Sequence, residues 1–306
     1  MDFPSQVKIR EVGPRDGFQS ISDFIPTEEK LQIIRSLVDA GVSEMETTSF
    51  ASPKAISQFR DAVDVLRMAP RKGVVHSAMV FNRGGAGKAI ASGADRLVVV
   101  VSASETHNRK NVGRCIAESL SGLDAIFQEA KPHLMPVTGA VAVCFGCPYE
   151  GEVPVNQVFN IAETYVAKGA DAVILADTTG MGVPTSIREM VPAFRDRFPE
   201  TELILHLHNN RGTAMANLLS GLMSGVDIFD TALGGIGGCP YVPQASGNIP
   251  TEDAVFMLEE MGIETGIDLE ALISEARLLE KRLGKILPGQ VMKSGPIFHK
   301  KAGIHP

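Results

Sequence analysis

Cysteine is scarce. The 306-residue chain has four, Cys115, Cys144, Cys147 and Cys239, too few at this length to form a disulfide framework. Cys144-Phe145-Gly146-Cys147 has C-x-x-C spacing, but no second pair follows to complete a zinc ribbon, and the segment reads as a strand end running into a turn at Pro148. Positive charge is also short: 29 Lys and Arg stand against 36 Asp and Glu, for a net charge of -7. Such a balance gives no field for a phosphate backbone, so no nucleic-acid partner is expected, and an anionic ligand would need local positive groups. No apolar run approaches the about 18 residues of a membrane span. Met1-Asp2-Phe3-Pro4 leads almost directly into a strand-like segment, without a basic start and apolar h-region. The expectation is a cytoplasmic protein with no membrane partner. Low-complexity stretches and domain linkers are missing as well.

What is present is ordinary for a soluble globular chain, 44% apolar and 21% charged, with enough length for one large core. A single barrel of roughly 250 residues plus an extension fits. Short β-rich runs recur at Val7–Val12, Val42–Thr47, Val74–Val80, Arg96–Val101, Val137–Cys144, Asp171–Ala176, Glu202–His208 and Val226–Ala232. Several are almost wholly apolar, as strands of a parallel sheet buried on both faces must be.

Amphipathic stretches of helical length lie between them. Thr27 reads as the N-cap of a helix over Glu28–Ala40, with Gly41 at its stop. Pro53, Pro154 and Pro184 sit near helix starts, where a missing N–H costs little. The beat of helix, glycine and strand is a βα repeat, and eight units favour a closed barrel over a doubly wound sheet. The reading is therefore α/β, a (β/α)8 TIM barrel with a C-terminal helical extension formed by Thr251–Met261 and Leu269–Leu283. One domain is expected over residues 1–285, followed by a loosely ordered tail over 286–306.

A barrel carries its chemistry where the strands end. The first strand delivers Arg15 and Asp16 within Gly13-Pro14-Arg15-Asp16-Gly17, and the second Glu46-Thr47-Thr48-Ser49. The sixth delivers Asp177 and the seventh His206-Leu207-His208. Two histidines two apart on a strand point to one side and make a two-nitrogen clamp. Only strand eight separates strands one and seven, so Asp16 can join them. Two imidazoles with a carboxylate suit Mg²⁺, Mn²⁺ or Zn²⁺. Arg15, bracketed by Pro14 and Gly17, would cradle a developing oxyanion. After strand eight, Gly234-Gly235-Ile236-Gly237-Gly238-Cys239-Pro240 reads as a lid that carries one thiol to the mouth, and Asn248 beyond it can add a carbonyl oxygen to the metal.

Together these segments resemble the HMG-CoA lyase family, metal-dependent barrel lyases with an arginine–aspartate motif on the first strand. The matching stretches are Glu11–Gly17, Glu46–Phe50, Gly146–Gly151, Gly234–Pro240, Ala245–Asn248 and Thr251–Asp253. The resemblance implies that Asp16, His206, His208 and Asn248 hold a divalent metal, Mg²⁺ or Mn²⁺. It also implies that Arg15 steadies an enolate, that Cys239 takes part in proton transfer, and that Gln19, Glu46, Ser49 and Asp177 line the substrate or support the site. His206 is the candidate base. The implied reaction is retro-Claisen cleavage of 3-hydroxy-3-methylglutaryl-CoA to acetyl-CoA and acetoacetate. The implied partner is an acyl-CoA, with coenzyme A entering as part of the substrate, and the implied assembly is a homo-oligomer, dimer or tetramer.

Two features depart from that pattern. Asn209-Asn210-Arg211 follows His208 where a His-Asp-Thr-type sequence is expected, and His299–His305 resembles a segment of the homocitrate and isopropylmalate synthases. The alternatives are a lyase for a related 3-hydroxyacyl-CoA, such as citramalyl-CoA or a longer branched homologue, and a condensing synthase. A non-catalytic metal- or CoA-binding barrel is argued against by Arg15, Asp16 and Cys239.

Overall fold

The structure, a computed structural model, describes residues 3–238 and 247–297. Among them, eight strands run in chain order: β1 Lys8–Glu11, β2 Glu44–Ser49, β3 Val75–Met79, β4 Arg96–Ser102, β5 Val137–Ala142, β6 Ala172–Asp177, β7 Glu202–Leu207 and β8 Ile228–Thr231. Each pairs in parallel with its neighbours, and β8 pairs with β1, so the sheet closes into a barrel. The expected fold is what the chain adopts.

The outer helices are α1 Thr27–Asp39, α2 Ala62–Met68, α3 Arg83–Ala91, α4 Glu105–Val112, α5 Ile116–Ala130, α6 Val155–Ala167, α7 Pro184–Arg197 and α8 Ala214–Met223. After β8 come α9 Thr251–Glu260, α10 Leu269–Leu283 and the short α11 Val291–Ser294. α4 is an extra helix between β4 and α5.

Alternation along the strands divides the apolar residues between two compartments. On β7, Leu203, Leu205 and Leu207 face the helix layer, whereas Ile204 joins Met79, Val98, Ala140, Ala172, Ile174, Ala176 and Ile228 in the lumen. The same alternation sends His206 inward, one step nearer the mouth.

Three local expectations are corrected. Thr27 is the first residue of α1 and caps nothing; Pro26 precedes it, and the Thr27 hydroxyl donates to Asp61 Oδ2 at 2.9 Å. Pro53 stands in a turn, ahead of a 3₁₀ turn at Ser57–Phe59, and not at a helix start. The segment from Leu287 to Ser294 is packed, not loose. Leu287, Val291 and Met292 are buried, and Asp253 accepts the N–H groups of Gln290 (3.0 Å) and Val291 (2.7 Å), which fixes the start of α11. Residues 298–306, including His299–His305, lie outside the described residues.

β5 shows how closely the helix layer sits on the barrel. Tyr165 of α6 is fully buried over Gly139, with its hydroxyl donating to the Ala140 carbonyl at 2.9 Å. A Cβ at Gly139 would overlap the Tyr165 ring. Gly139→Ala is expected to destabilise the fold by about 1–3 kcal/mol through overpacking, read as a shift in the chemical-denaturation midpoint. An unchanged midpoint would mean that the ring has room to move.

Candidate functional site

The chain leaves β1 through one turn of π-helix, Gly13–Gly17, in which the Asp16 N–H donates to the Val12 carbonyl at 2.6 Å. This turn points both Arg15 and Asp16 into the mouth. Gly17 is required there because a Cβ would overlap the Ile236 side chain. The Arg15 guanidinium is buried between two carboxylates: Nη1 donates to Asp16 Oδ1 at 2.6 Å and Nη2 to Glu46 Oε2 at 2.9 Å. Glu46 reaches this place from β2 beside a register shift between Glu46 and Thr48, the kind of irregularity that re-aims a side chain.

From β7, His206 Nε2 and His208 Nε2 face each other at 3.0 Å, and Asp16 Oδ2 lies 3.4 Å from His208 Nε2. One ligand atom from each of Asp16, His206 and His208 falls within 4.8 Å of the others, and all three residues are buried. His206 Nδ1 is 3.2 Å from Asp230 Oδ2. Asp230 therefore accepts a hydrogen bond from Nδ1–H, and the neutral ring's one lone pair, on Nε2, is turned to the cluster. Proton acceptance and cation binding by His206 are thus alternatives at a single atom.

Asn248 is brought alongside His208 by an antiparallel bridge beyond the end of β7. Its Nδ2 donates to Asp16 Oδ2 at 2.8 Å and to the Ile236 carbonyl at 3.0 Å, while its buried Oδ1 has no hydrogen-bond partner. A carboxylate neighbour draws the amide nitrogen toward itself; a half-turn of the amide brings Oδ1 to the cluster instead. A Cβ at Gly237 would overlap Asn248 Nδ2 and stand 3.2 Å from Asp16 Oδ2, so the glycine-rich segment can enter the site only as bare backbone.

Burial alone would raise the Asp16 carboxyl, but the Arg15 guanidinium and His208 hold it well below the usual carboxylate range. Burial alone would lower His206, yet the Asp230 hydrogen bond and the Asp16 and Asp230 charges raise it. The two-imidazole, one-carboxylate set, with an unpartnered amide oxygen next to it, fits a divalent cation.

A cavity of about 850 Å³ opens from this cluster. Arg15, Asp16, Gln19, Glu46, His206 and His208 line one part, and Met79, Val98, Ala140, Ala142, Ile174 and Ala176 form an apolar floor in the lumen. Another part runs past Lys110, Asn111 and Arg114, on and just after α4. The sequence reading missed these three. The signal was a basic run, Arg109-Lys110 with Arg114, directly after β4 in an acidic chain. It also missed Asp230, a buried carboxylate beside Thr231 at the end of β8.

Ser49 and Asp177 are not part of the cavity lining. Ser49 Oγ accepts from the Ala51 N–H at 3.2 Å. Asp177 accepts from the N–H groups of Met181 (2.9 Å) and Gly182 (3.0 Å), stapling the loop after β6. In the divergent stretch, Asn210 Oδ1 accepts from the Gly247 N–H at 3.2 Å and Arg211 donates to the Thr179 and Gly180 carbonyls. These residues brace loops at the mouth and do not enter the cluster. Cys144 and Cys147 are buried and free, the latter donating to Ser104 Oγ at 3.0 Å. Cys239 and Pro240 lie outside the described residues.

A closed parallel barrel with a buried histidine–carboxylate cluster at the carboxyl ends of its strands, opening into a large cavity, has the build of a metal-dependent barrel enzyme. The HMGL-like family model matches residues 6–279. The chain is 43% identical to the hydroxymethylglutaryl-CoA lyase YngG of Bacillus subtilis, over 96% of this chain and all of that protein. It is 37% identical to the human mitochondrial hydroxymethylglutaryl-CoA lyase, over 95% of this chain and 90% of that one. Among solved structures, an HMG-CoA lyase from Acinetobacter baumannii in complex with coenzyme A and 3-methylmalate superposes with a TM-score of 0.92 at 40% identity, covering 100% of this chain and 99% of that one. The chain belongs to the HMGL-like family, among its HMG-CoA lyases.

Two buried carboxylates anchor the start of the glycine-rich segment. Glu11 accepts from the Gly13 N–H (2.7 Å), the Leu233 N–H (3.0 Å) and the Thr251 hydroxyl (2.6 Å), and Glu252 accepts from the Gly234 N–H (2.9 Å). Burial pushes Glu11 up to about 7 and Glu252 up to about 8. A carboxyl raised on folding contributes stability below its unfolded value, about 4.3, and loses it as pH rises through the folded value. Wild-type stability should therefore fall relative to Glu252→Gln between about pH 5 and 8, measured as paired denaturation curves. Parallel pH profiles for the two proteins would show that Glu252 ionises normally in the fold.

Proposed function

We propose that this protein is a divalent-metal-dependent carbon–carbon lyase that cleaves 3-hydroxy-3-methylglutaryl-CoA to acetyl-CoA and acetoacetate. The observation that carries the reading is the convergence of Asp16, His206 and His208 beside Arg15 at one end of a cavity whose other arm is basic. The lyase relatives, similar over nearly the whole chain, support it.

On this reading Asp16, His206, His208 and Asn248 hold the cation, Mg²⁺ or Mn²⁺. A bound cation there supplies Lewis acidity to the substrate's tertiary hydroxyl and to a neighbouring carboxylate oxygen, an effect typically of several kcal/mol. Cleavage breaks the bond between the thioester's α-carbon and the hydroxyl-bearing carbon. The hydroxyl proton passes to Nε2 of His206, the candidate base, at the expense of that atom's place on the cation. The carbinol becomes the ketone of acetoacetate, and the electron pair departs as a thioester enolate.

Arg15 is built to meet that charge. Its hydrogen bonds to Asp16 and Glu46 use one N–H each of Nη1 and Nη2 and fix the plane of the guanidinium. The second N–H of each is left for an enolate oxygen. Gln19 and Glu46 border the same end of the cavity. Cys239 is assigned the return of a proton to carbon, which completes acetyl-CoA, and Ser49 and Asp177 support the walls from behind. Lys110 and Arg114 supply the local positive charge that an acyl-CoA needs in a chain of net charge -7. No helix among the described residues is long and apolar enough to cross a membrane, in keeping with a cytoplasmic enzyme. A homo-oligomer, dimer or tetramer, completes the reading, and light scattering tests it.

A panel of acyl-CoA substrates tests the function. Acetyl-CoA release should be fastest from HMG-CoA, require Mg²⁺ or Mn²⁺, and cease after EDTA treatment. Faster release from citramalyl-CoA or a longer branched homologue would overturn the substrate, and EDTA-resistant turnover would overturn the metal. Arg15→Met should lower kcat by about 10²–10³-fold, the usual effect of losing an oxyanion donor, with fold and metal binding kept. Near-normal turnover would remove Arg15 from the reaction. Cys239→Ser should bind metal normally and lose most turnover, because a hydroxyl is a much weaker acid than a thiol; full activity would require another proton donor.

A further inference from the structure

The cross-strand register brings a second carboxylate into the site from beneath. Asp230 on β8 lies opposite Arg10 on β1 and opposite His206 on β7. Registered partners on neighbouring parallel strands project from the same face of the sheet, and all three side chains are buried in the barrel. Asp230 divides its two oxygens between them: Oδ2 is 3.2 Å from His206 Nδ1, and Oδ1 is 3.0 Å from Arg10 Nη1. Arg10 has no exposed surface and does not border the cavity; its Nε donates to Glu44 Oε1 at 2.9 Å.

A guanidinium buried inside a barrel is costly unless its partners are fixed. Glu44, its partner toward the amino end of the barrel, is shared with Lys8 and Arg96, so Asp230 is the carboxylate that completes the Arg10 pairing. The second carboxylate, shared with a cluster histidine, ties Arg10 to the site.

Which ring nitrogen of a neutral imidazole carries the proton is set by the partner of the other. We propose that Asp230 is a positioning residue for His206. It holds the proton on Nδ1 and so keeps Nε2 bare toward His208 and Asp16, and Arg10 keeps Asp230 in its place, though it borders neither cavity nor cluster. The affinity of the site for a divalent cation is thereby set from inside the barrel. The inference rests on the metal-site part of the proposed function and not on the identity of the substrate.

Asp230→Asn is the diagnostic change. Arg10 draws the amide oxygen to itself, so the amide NH₂ faces His206 Nδ1. That nitrogen must then accept, and the proton moves to Nε2, the atom that has to be bare. The intact chain, stripped with EDTA, is titrated with Mn²⁺ and the free ion read by electron paramagnetic resonance; ¹⁵N shifts report the His206 tautomer before metal is added. The expected results are an Nδ1–H tautomer in the wild type and, in Asp230→Asn, an Nε2–H tautomer with Mn²⁺ affinity weakened 10- to 100-fold. Arg10→Lys keeps the charge but cannot span Glu44 and Asp230 together, and should weaken Mn²⁺ binding several-fold.

A folded Asp230→Asn with wild-type Mn²⁺ affinity overturns the proposal. Should that variant fail to fold, unchanged affinity in Arg10→Lys does the same. An Nε2–H tautomer in the wild type overturns it without any variant. A wild type that binds no Mn²⁺ refutes the metal reading itself, and one that binds Mn²⁺ but does not cleave HMG-CoA refutes the substrate while leaving Asp230 in its role.

Discussion

Everything at the mouth depends on the pairing of β8 with β1. Asp16 follows the first strand, and His206 in the seventh and His208 just past it come 190 and 192 residues later in the chain. They become neighbours because β8 hydrogen-bonds to both β1 and β7. Closure is therefore a chemical requirement as well as a topological one. Without it, Asp16 and the histidine pair would lie at opposite edges of an open sheet. Side chains reinforce that closure: Arg10 holds Asp230, Glu11 holds Leu233 and Thr251 just beyond β8, and Asp230 carries the contact on to His206 in the cluster.

The polarity of the lumen changes along its axis. Toward the floor, apolar side chains such as Val98, Ile174 and Ile204 fill the space as a core. Carboxylates alternate with guanidiniums up the β1 side of the lumen, from the amino end of the barrel to the mouth: Glu44 with Arg10, Arg10 with Asp230, Asp16 with Arg15, Arg15 with Glu46. Each of these buried charges has an opposite neighbour, the condition for keeping charges in a low-dielectric interior. The arrangement also fixes geometry, since a guanidinium gripped by carboxylates cannot rotate. An oxyanion arriving beside Arg15 would meet donors already aimed, which is how such groups lower a barrier.

Much of this was legible in the sequence, because period and position are local properties. Eight apolar runs separated by helix-length segments gave the barrel, and the His206-x-His208 spacing gave a one-sided pair, since alternation is a property of any strand. α10 begins and ends where its pattern does. What escaped was set by tertiary contact. Thr27 looked like a cap, but Pro26 holds that place and the hydroxyl is used by Asp61. The 287–294 segment, with its Gly, Pro and Lys, looked like a tail, but Asp253 organises its backbone and its three apolar residues find a groove. Ser49 and Asp177 stand at strand ends, yet their side chains turn back to their own loops. Position at a strand end alone does not say which way a side chain will turn. The basic arm of the cavity depends on where α4 lies, and no periodicity encodes that.

The account turns on a single claim, that Asp16, His206 and His208 bind one divalent cation. Anomalous diffraction at the manganese edge from crystals of the Mn²⁺-loaded protein tests it most directly. The account predicts one dominant peak at the carboxyl ends of the strands, bonded to Asp16, His206 and His208 at roughly 2.0–2.3 Å. A loaded crystal whose peak lies elsewhere, or one with no peak among these three residues, would contradict it.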